Sequence, residues 1–139
     1  MNYRIDLDPT HSVIRLTVME EVVSLELAED IYTRLARLSW SGGLYAAIYN
    51  LTRVKNTTIP LDTVRLLARR TPSIPTGRPH VVVGKAPVIF GLARLFQMCR
   101  EFRQEEEFEV VHTMTEAYEA VGAQSQDFTE RIFPAALAA

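Results

Sequence analysis

From Tyr3 to Leu7 the chain alternates apolar and polar residues (Y-R-I-D-L), the period-2 pattern of a strand with one buried face. Asp8 to Ser12 (D-P-T-H-S) is a turn cluster, and Val13 to Val18 (V-I-R-L-T-V) is β-branched and apolar, a second strand. A connection this short makes the two an antiparallel hairpin. The period then changes. Ser24 is placed to cap a helix reaching about Ser39, with Leu27, Ile31, Leu35 and Leu38 on one face. Gly42 and Gly43 stop it. Leu44 to Leu51 is apolar on both faces, as a central strand covered on both sides must be.

Asn50 to Thr58 (N-L-T-R-V-K-N-T-T) is the polar link to the next helix. Pro60 sits just inside that helix's start, where a missing N–H costs nothing, and Val64, Leu67 and Ala68 form its inner face. Thr71 to Pro79 is a loop by composition, and His80 to Gly84 (H-V-V-V-G) a short buried strand. Pro87 opens a third helix to about Arg103, with Ile89, Leu92, Ala93, Phe96 and Cys99 inward. Phe108 to His112 is the last strand. Thr113 and Glu116 form a capping box, in which each side chain accepts from the other's N–H, opening a helix that ends near Gly122.

The order ββαβαβαβα requires crossover connections. It predicts an α/β domain over residues 1–122, with a mixed, mostly parallel sheet of about five strands and four helices. Residues 123–139 form a C-terminal tail whose Phe128, Ile132 and Phe133 make an amphipathic turn. That turn is too short to stand alone, so it is expected to dock on its own domain or on a partner subunit.

The element order and the string F-G-L-A-R-L-F-Q (Phe90 to Gln97) resemble the SpoIIAA-like branch of the STAS/SEC14-like families over roughly residues 3–122. Asn50-Leu51-Thr52 stands where that branch carries Asp-Leu-Ser, and Asn56-Thr57-Thr58-Ile59 where STAS domains carry a phosphorylated Asp-Ser-Ser/Thr-Gly. Glu119-Ala120 fits the last helix, but Val121-Gly122 replaces its usual Trp-Leu. The resemblance implies a non-enzymatic, regulatory protein-interaction domain. Its SEC14-like side implies an apolar pocket for a small amphipathic or anionic ligand, lipid-like or nucleotide.

The charge distribution is uneven. Residues 50–100 hold nine basic groups against one acid, Asp62, while residues 101–139 hold two basic groups against nine acids. Such asymmetry marks an anion site or an acidic end lying beside the basic middle, within one chain or across a homodimer. With a sequence pI of about 5.9 and no aromatics among the basic residues, nucleic acid is not an expected partner. The single Cys99 excludes an intrachain disulfide. No stretch approaches the ~20 apolar residues of a membrane span, and the N-terminus does not read as a signal peptide. These features predict a cytoplasmic chain without stable membrane insertion.

Ligands of parallel sheets bind beyond the carboxyl ends of the strands, near a switch in strand order. The loops after the third and fourth strands would bring Arg53, Lys55, Asn56, Thr57, Thr58 and Lys85 to one rim, beside helix N–H groups that favour an anion. The other reading is that Asn, Thr and Pro are ordinary helix-entry residues. Thr57 and Thr58 are candidate phosphorylation sites, with Arg53 and Lys55 to pair the added charge. A ligand between the third helix (Phe90, Phe96) and the sheet would place its anionic end at Lys85 and Arg94. His11, His80 and His112 fall in separate elements, with no His-Glu-x-x-His motif and no close His/Asp pair, so no metal is expected. No catalytic constellation and no phosphate-binding glycine loop is present, and no cofactor is expected.

Overall fold

The computed structural model describes residues 2–37, 45–74, 77–100 and 108–128, with the backbone of 130–131. The elements are β1 (Tyr3–Asp8), β2 (Val13–Val18), β3 (Val22–Val23), α1 (Leu25–Arg37), β4 (Ala46–Leu51) and β5 (Asn56–Thr57). They continue with α2 (Leu61–Ala68), β6 (His80–Gly84), α3 (Pro87–Arg100), β7 (Phe108–Val111), α4 (Met114–Val121), a 3-10 turn (Ser125–Asp127) and β8 (Glu130–Arg131). The expected places of Leu38, Gly42, Gly43, Arg103, Ile132 and Phe133 lie outside the described residues.

The α/β architecture is the expected one, with four helices on a mixed, mostly parallel sheet. The sheet order is β7-β6-β4-β2-β1-β8. β1 and β2 form the antiparallel hairpin, Tyr3 opposite Val18. β2, β4, β6 and β7 run parallel in chain order. Each crossover therefore steps the same way, and right-handed connections put their helices on one face. Leu27 and Leu35 of α1 and Ile89 of α3 share a core there with Ile5, Leu16 and Ala47. On the other face Ala117 and Val121 of α4 join Val13, Ile48, Val81 and Val83.

Local chemistry sets the element ends. The Ser24 hydroxyl accepts from the Leu27 N–H at 3.1 Å, as its position predicts. At α4 only half of the expected capping box forms. Thr113 Oγ1 accepts from the Glu116 N–H, while the Glu116 carboxylate takes the Thr113 hydroxyl proton rather than a backbone one. Gly122 ends α4 at φ 73°, a left-handed cap open to glycine at little cost. Pro60 is the N-cap of α2 rather than its first residue, with ψ at 148°. At Gly84 a Cβ would come within 3.2 Å of the Phe90 backbone nitrogen, so glycine here lets α3 close onto the end of β6.

The described part of the tail docks on its own domain. β8 pairs antiparallel with β1, Asp6 opposite Arg131, and Phe128 is buried in the α4-side core. That docking corrects the expectation of a half-exposed first strand, because the polar side of β1 is buried as well. Asp6, only 8% exposed at the side chain, takes Arg4 at 2.9 Å and Arg15 at 3.1 Å. Arg15 also donates to the Tyr118 hydroxyl at 2.8 Å, and its guanidinium lies 4.5 Å from the Phe128 ring centroid.

On the opposite face the Tyr3 hydroxyl donates to the Asp30 carboxylate at 2.8 Å, joining β1 to α1. Burial and then this hydrogen bond push its phenol up to about 12 from 10.0. The fold thus holds the neutral phenol more tightly than the unfolded chain does. The resulting stabilisation is complete below pH 10 and is lost as pH rises from 10 to 12. Tyr3→Phe is expected to flatten the stability–pH curve in that window, and its denaturant midpoints at pH 9 and pH 11.5 check this. Absorbance titration of the native protein should show a phenol ionising near pH 12 that is lost in the variant.

Candidate functional site

The residues expected at the carboxyl edge do gather there. Leu51 and Gly84 end β4 and β6 in register, so Arg53 and Lys85 leave neighbouring strand ends, both exposed. From β2 to β7 every crossover steps the same way, and the chain returns to the far edge only at β8, so no switch point opens a crevice between β4 and β6. Lys55 pairs with Glu21 at 3.2 Å, both side chains more than two-thirds exposed, a pair that contributes little. Asn56 and Thr57 are not helix-entry residues. They form β5, parallel to β3. The Thr57 hydroxyl is engaged twice, donating to the Val23 carbonyl at 2.6 Å and accepting from the Ile59 N–H at 3.1 Å. A phosphate there would remove the proton that binds the Val23 carbonyl, whereas the Thr58 side chain is exposed.

An apolar concave feature lies under the helices. A cavity of about 310 Å³ sits between the sheet and α1, α2 and α3, at the lower bound of small-molecule sites. The sheet floors it with Leu16, Tyr49 and Val82, and the helices wall it with Ile31, Val64 and Ala93. Thr57 and Phe96 line it, but Phe90, Lys85 and Arg94 do not. Phe90 stacks on His112 instead, the rings 3.8 Å apart and nearly parallel, and Arg94 is exposed on α3.

Of the ionisable lining groups, Arg70 and Arg100 did not stand out in the sequence, and His80 stood out only as a possible metal ligand. His80 is buried at the start of β6, its Nδ1 3.3 Å from the Tyr49 hydroxyl. Arg100 is 8% exposed, its guanidinium 5.3 Å from the Phe96 ring centroid and 5.8 Å from that of Phe108, within cation–π range. Arg70 lies over Tyr32 at 3.7 Å and holds both Glu29 oxygens at 2.9 Å. A signal for Arg100 existed. It falls seven residues after Ala93 and four after Phe96, on the inward stripe of α3.

A second cluster corrects the reading that no close His/Asp pair exists. Asp8-Pro-Thr-His11 folds so that His11 Nδ1 lies 2.6 Å from the buried Asp8 carboxylate and 3.7 Å from Asp127. The other Asp8 oxygen accepts from the Thr10 and His11 N–H groups, which fixes the hairpin turn. Both Asp8 oxygens are therefore used within the turn, and Asp127 also accepts from the Gln124 N–H.

Comparison of the chain with protein-family models, with curated proteins and with solved structures gives no match. Among the described residues no helix is long and apolar enough to cross a membrane.

Proposed function

We propose that this chain is a binding domain, not a catalyst, and that it takes a small amphipathic molecule into the cavity beneath α1, α2 and α3. The cavity carries this reading. A half-open cavity of about 310 Å³ walled by leucine, isoleucine, valine and phenylalanine leaves that apolar surface short of the dispersion contacts that a packed core would give it. A fitting apolar ligand restores those contacts and removes its own apolar surface from water. At ~30 Å³ per water-sized group, the space takes on the order of ten non-hydrogen atoms. Isothermal titration with decanol tests the reading. Saturable one-to-one binding with a negative heat-capacity change supports it, and no saturable heat removes it.

The carboxyl edge supports a second reading, a protein-docking surface of the kind the SpoIIAA-like resemblance implies. Among the described residues, Met19, Val22, Leu25, Leu61 and Val88 are exposed and lie at that edge, past a strand end or at a helix start, while the exposed Leu66 and Met98 lie further along α2 and α3. Arg53 and Lys85 stand among them. Exposed apolar residues gathered at one end of a domain mark interaction sites. The double variant Arg53→Glu with Lys55→Glu is expected to reduce partner recovery in pull-down at least tenfold. Unchanged recovery discards this surface and leaves the cavity reading untouched.

A further inference from the structure

The walls of the cavity are closed to different degrees. α2 packs directly on α3. At the carboxyl edge β3 and β5, which lead into α1 and α2, are fastened by backbone hydrogen bonds. The Lys55 N–H donates to the Glu21 carbonyl at 2.7 Å, and the Thr58 N–H to the Val23 carbonyl at 3.2 Å. Past that ladder, among the described residues, no backbone hydrogen bond joins α1 to α2 or to the turn after it. Ile31 and Tyr32 on one side of this seam, and Leu67 and Arg70 on the other, line the cavity and are only half-buried. The interior therefore reaches water along the seam between α1 and α2.

Side chains span the seam beyond the end of α2. Arg70, two residues past that helix, donates from one nitrogen to both Glu29 oxygens of α1 at 2.9 Å. Its guanidinium lies 3.7 Å from the Tyr32 ring centroid, within cation–π range. The Tyr32 hydroxyl donates to the Thr71 carbonyl. α1 is anchored independently of these contacts, by Leu27 and Leu35 in the core. The bridge can thus part by rotation of side chains while the helix stays on the sheet. Glu29 and Arg70 are both partly exposed, and an ion pair in that setting is weak enough to open often.

We infer that the seam between α1 and α2 is the ligand portal, and that Arg70, held across it by Glu29 and Tyr32, is its gate. This inference rests on the cavity reading above and adds the route of entry. A gate that closes over the empty and the filled cavity alike raises the barrier to entry and to exit by the same amount. It governs exchange rates and leaves affinity unchanged.

The probe is naphthalene, an uncharged molecule whose size of about ten carbons matches the space. NMR line shapes across a titration of the full chain give its affinity and both exchange rates. In Arg70→Gln, association and dissociation are expected to quicken together by at least about threefold, with affinity within about twofold of the parent. Arg65→Gln, which removes the exposed pair with Asp62 on α2, should change neither rate. Parental rates in Arg70→Gln overturn the gate. So does faster dissociation alone with a matching loss of affinity, which would make Arg70 a ligand contact. Equal acceleration in Arg65→Gln would show a general loosening of α2 and overturns it as well. In each of these cases the cavity reading stands. If naphthalene does not bind the parent chain, the cavity reading falls and the portal with it. Should Arg70→Gln fail to fold, Glu29→Gln removes the same pair and is read in the same way.

Discussion

Replacing Ala93 with tryptophan is expected to abolish uptake of apolar ligands, lowering decanol affinity at least fiftyfold. Ala93 is nearly buried on the inner face of α3 and lines the cavity, so an indole at this position projects into the space a ligand would use. In a fully packed core such an insertion costs about 1–3 kcal/mol through forced rotamers and backbone shifts. Here the void receives the ring, and its new contacts offset that cost. The variant is therefore expected to melt within a few degrees of the parent while losing the calorimetric signal. Paired melting and titration experiments separate the outcomes. Retained binding in a folded variant would place the ligand elsewhere. A large loss of stability would show that the space is smaller than about 310 Å³.

The largest effect on stability is expected from Asp6→Ala. Its carboxylate is the common partner of Arg4 and Arg15 on the α4 face, and the Arg15 side chain is only 11% exposed. Removing one member of a buried ion pair leaves the other charge desolvated, which costs about 3–5 kcal/mol. That is a large share of the 5–15 kcal/mol by which a domain is ordinarily stable. The loss should reach the tail, because Arg15 also holds Tyr118 and lies over the Phe128 ring. Urea unfolding gives the magnitude. Limited proteolysis near Phe128 should show cleavage in Asp6→Ala under conditions where the parent resists. An Asp6→Ala protein within 1 kcal/mol of the parent would contradict the network's role. Decanol affinity should be unchanged, since Asp6 faces away from the cavity.

These two residues also mark what the amino-acid order revealed and what it did not. The alternation of Tyr3 to Leu7 located β1 and its inner face correctly, yet the pattern says nothing of what covers the polar side. Asp6 reads as solvated until the fold brings Arg15 onto it and, more than a hundred residues later, Phe128 onto Arg15 and β8 alongside β1. The helices announced themselves through their 3.6-residue stripes and their caps at Ser24, Thr113 and Gly122. β3, β5 and β8 did not. Two-residue strands have no period to detect, so Asn56 and Thr57 read as helix entry.

The cavity was invisible for a different reason. Ile31, Val64, Ala93 and Phe96 would carry the same inward stripe whether they met the sheet or stood back from it. Sequence periodicity records which way a side chain points and not how far away its neighbour lies. The ligand space was expected between α3 and the sheet, and part of it is there. Its basic end was placed at Lys85, a loop cation beyond a strand end, and at Arg94 on the third helix. The structure puts Arg70, His80 and Arg100 on the lining instead. Arg100 was legible in principle as a cation on an apolar stripe, but Cys99 beside it took that reading.

The most direct test of the account is native mass spectrometry of the protein purified without detergent or organic solvent, before and after adding one equivalent of decanol. The account predicts a single adduct per chain, either already present or formed on addition, and no adduct on Ala93→Trp treated identically. Bare-chain mass alone under both conditions, or adducts of equal abundance on the parent and on Ala93→Trp, would contradict it.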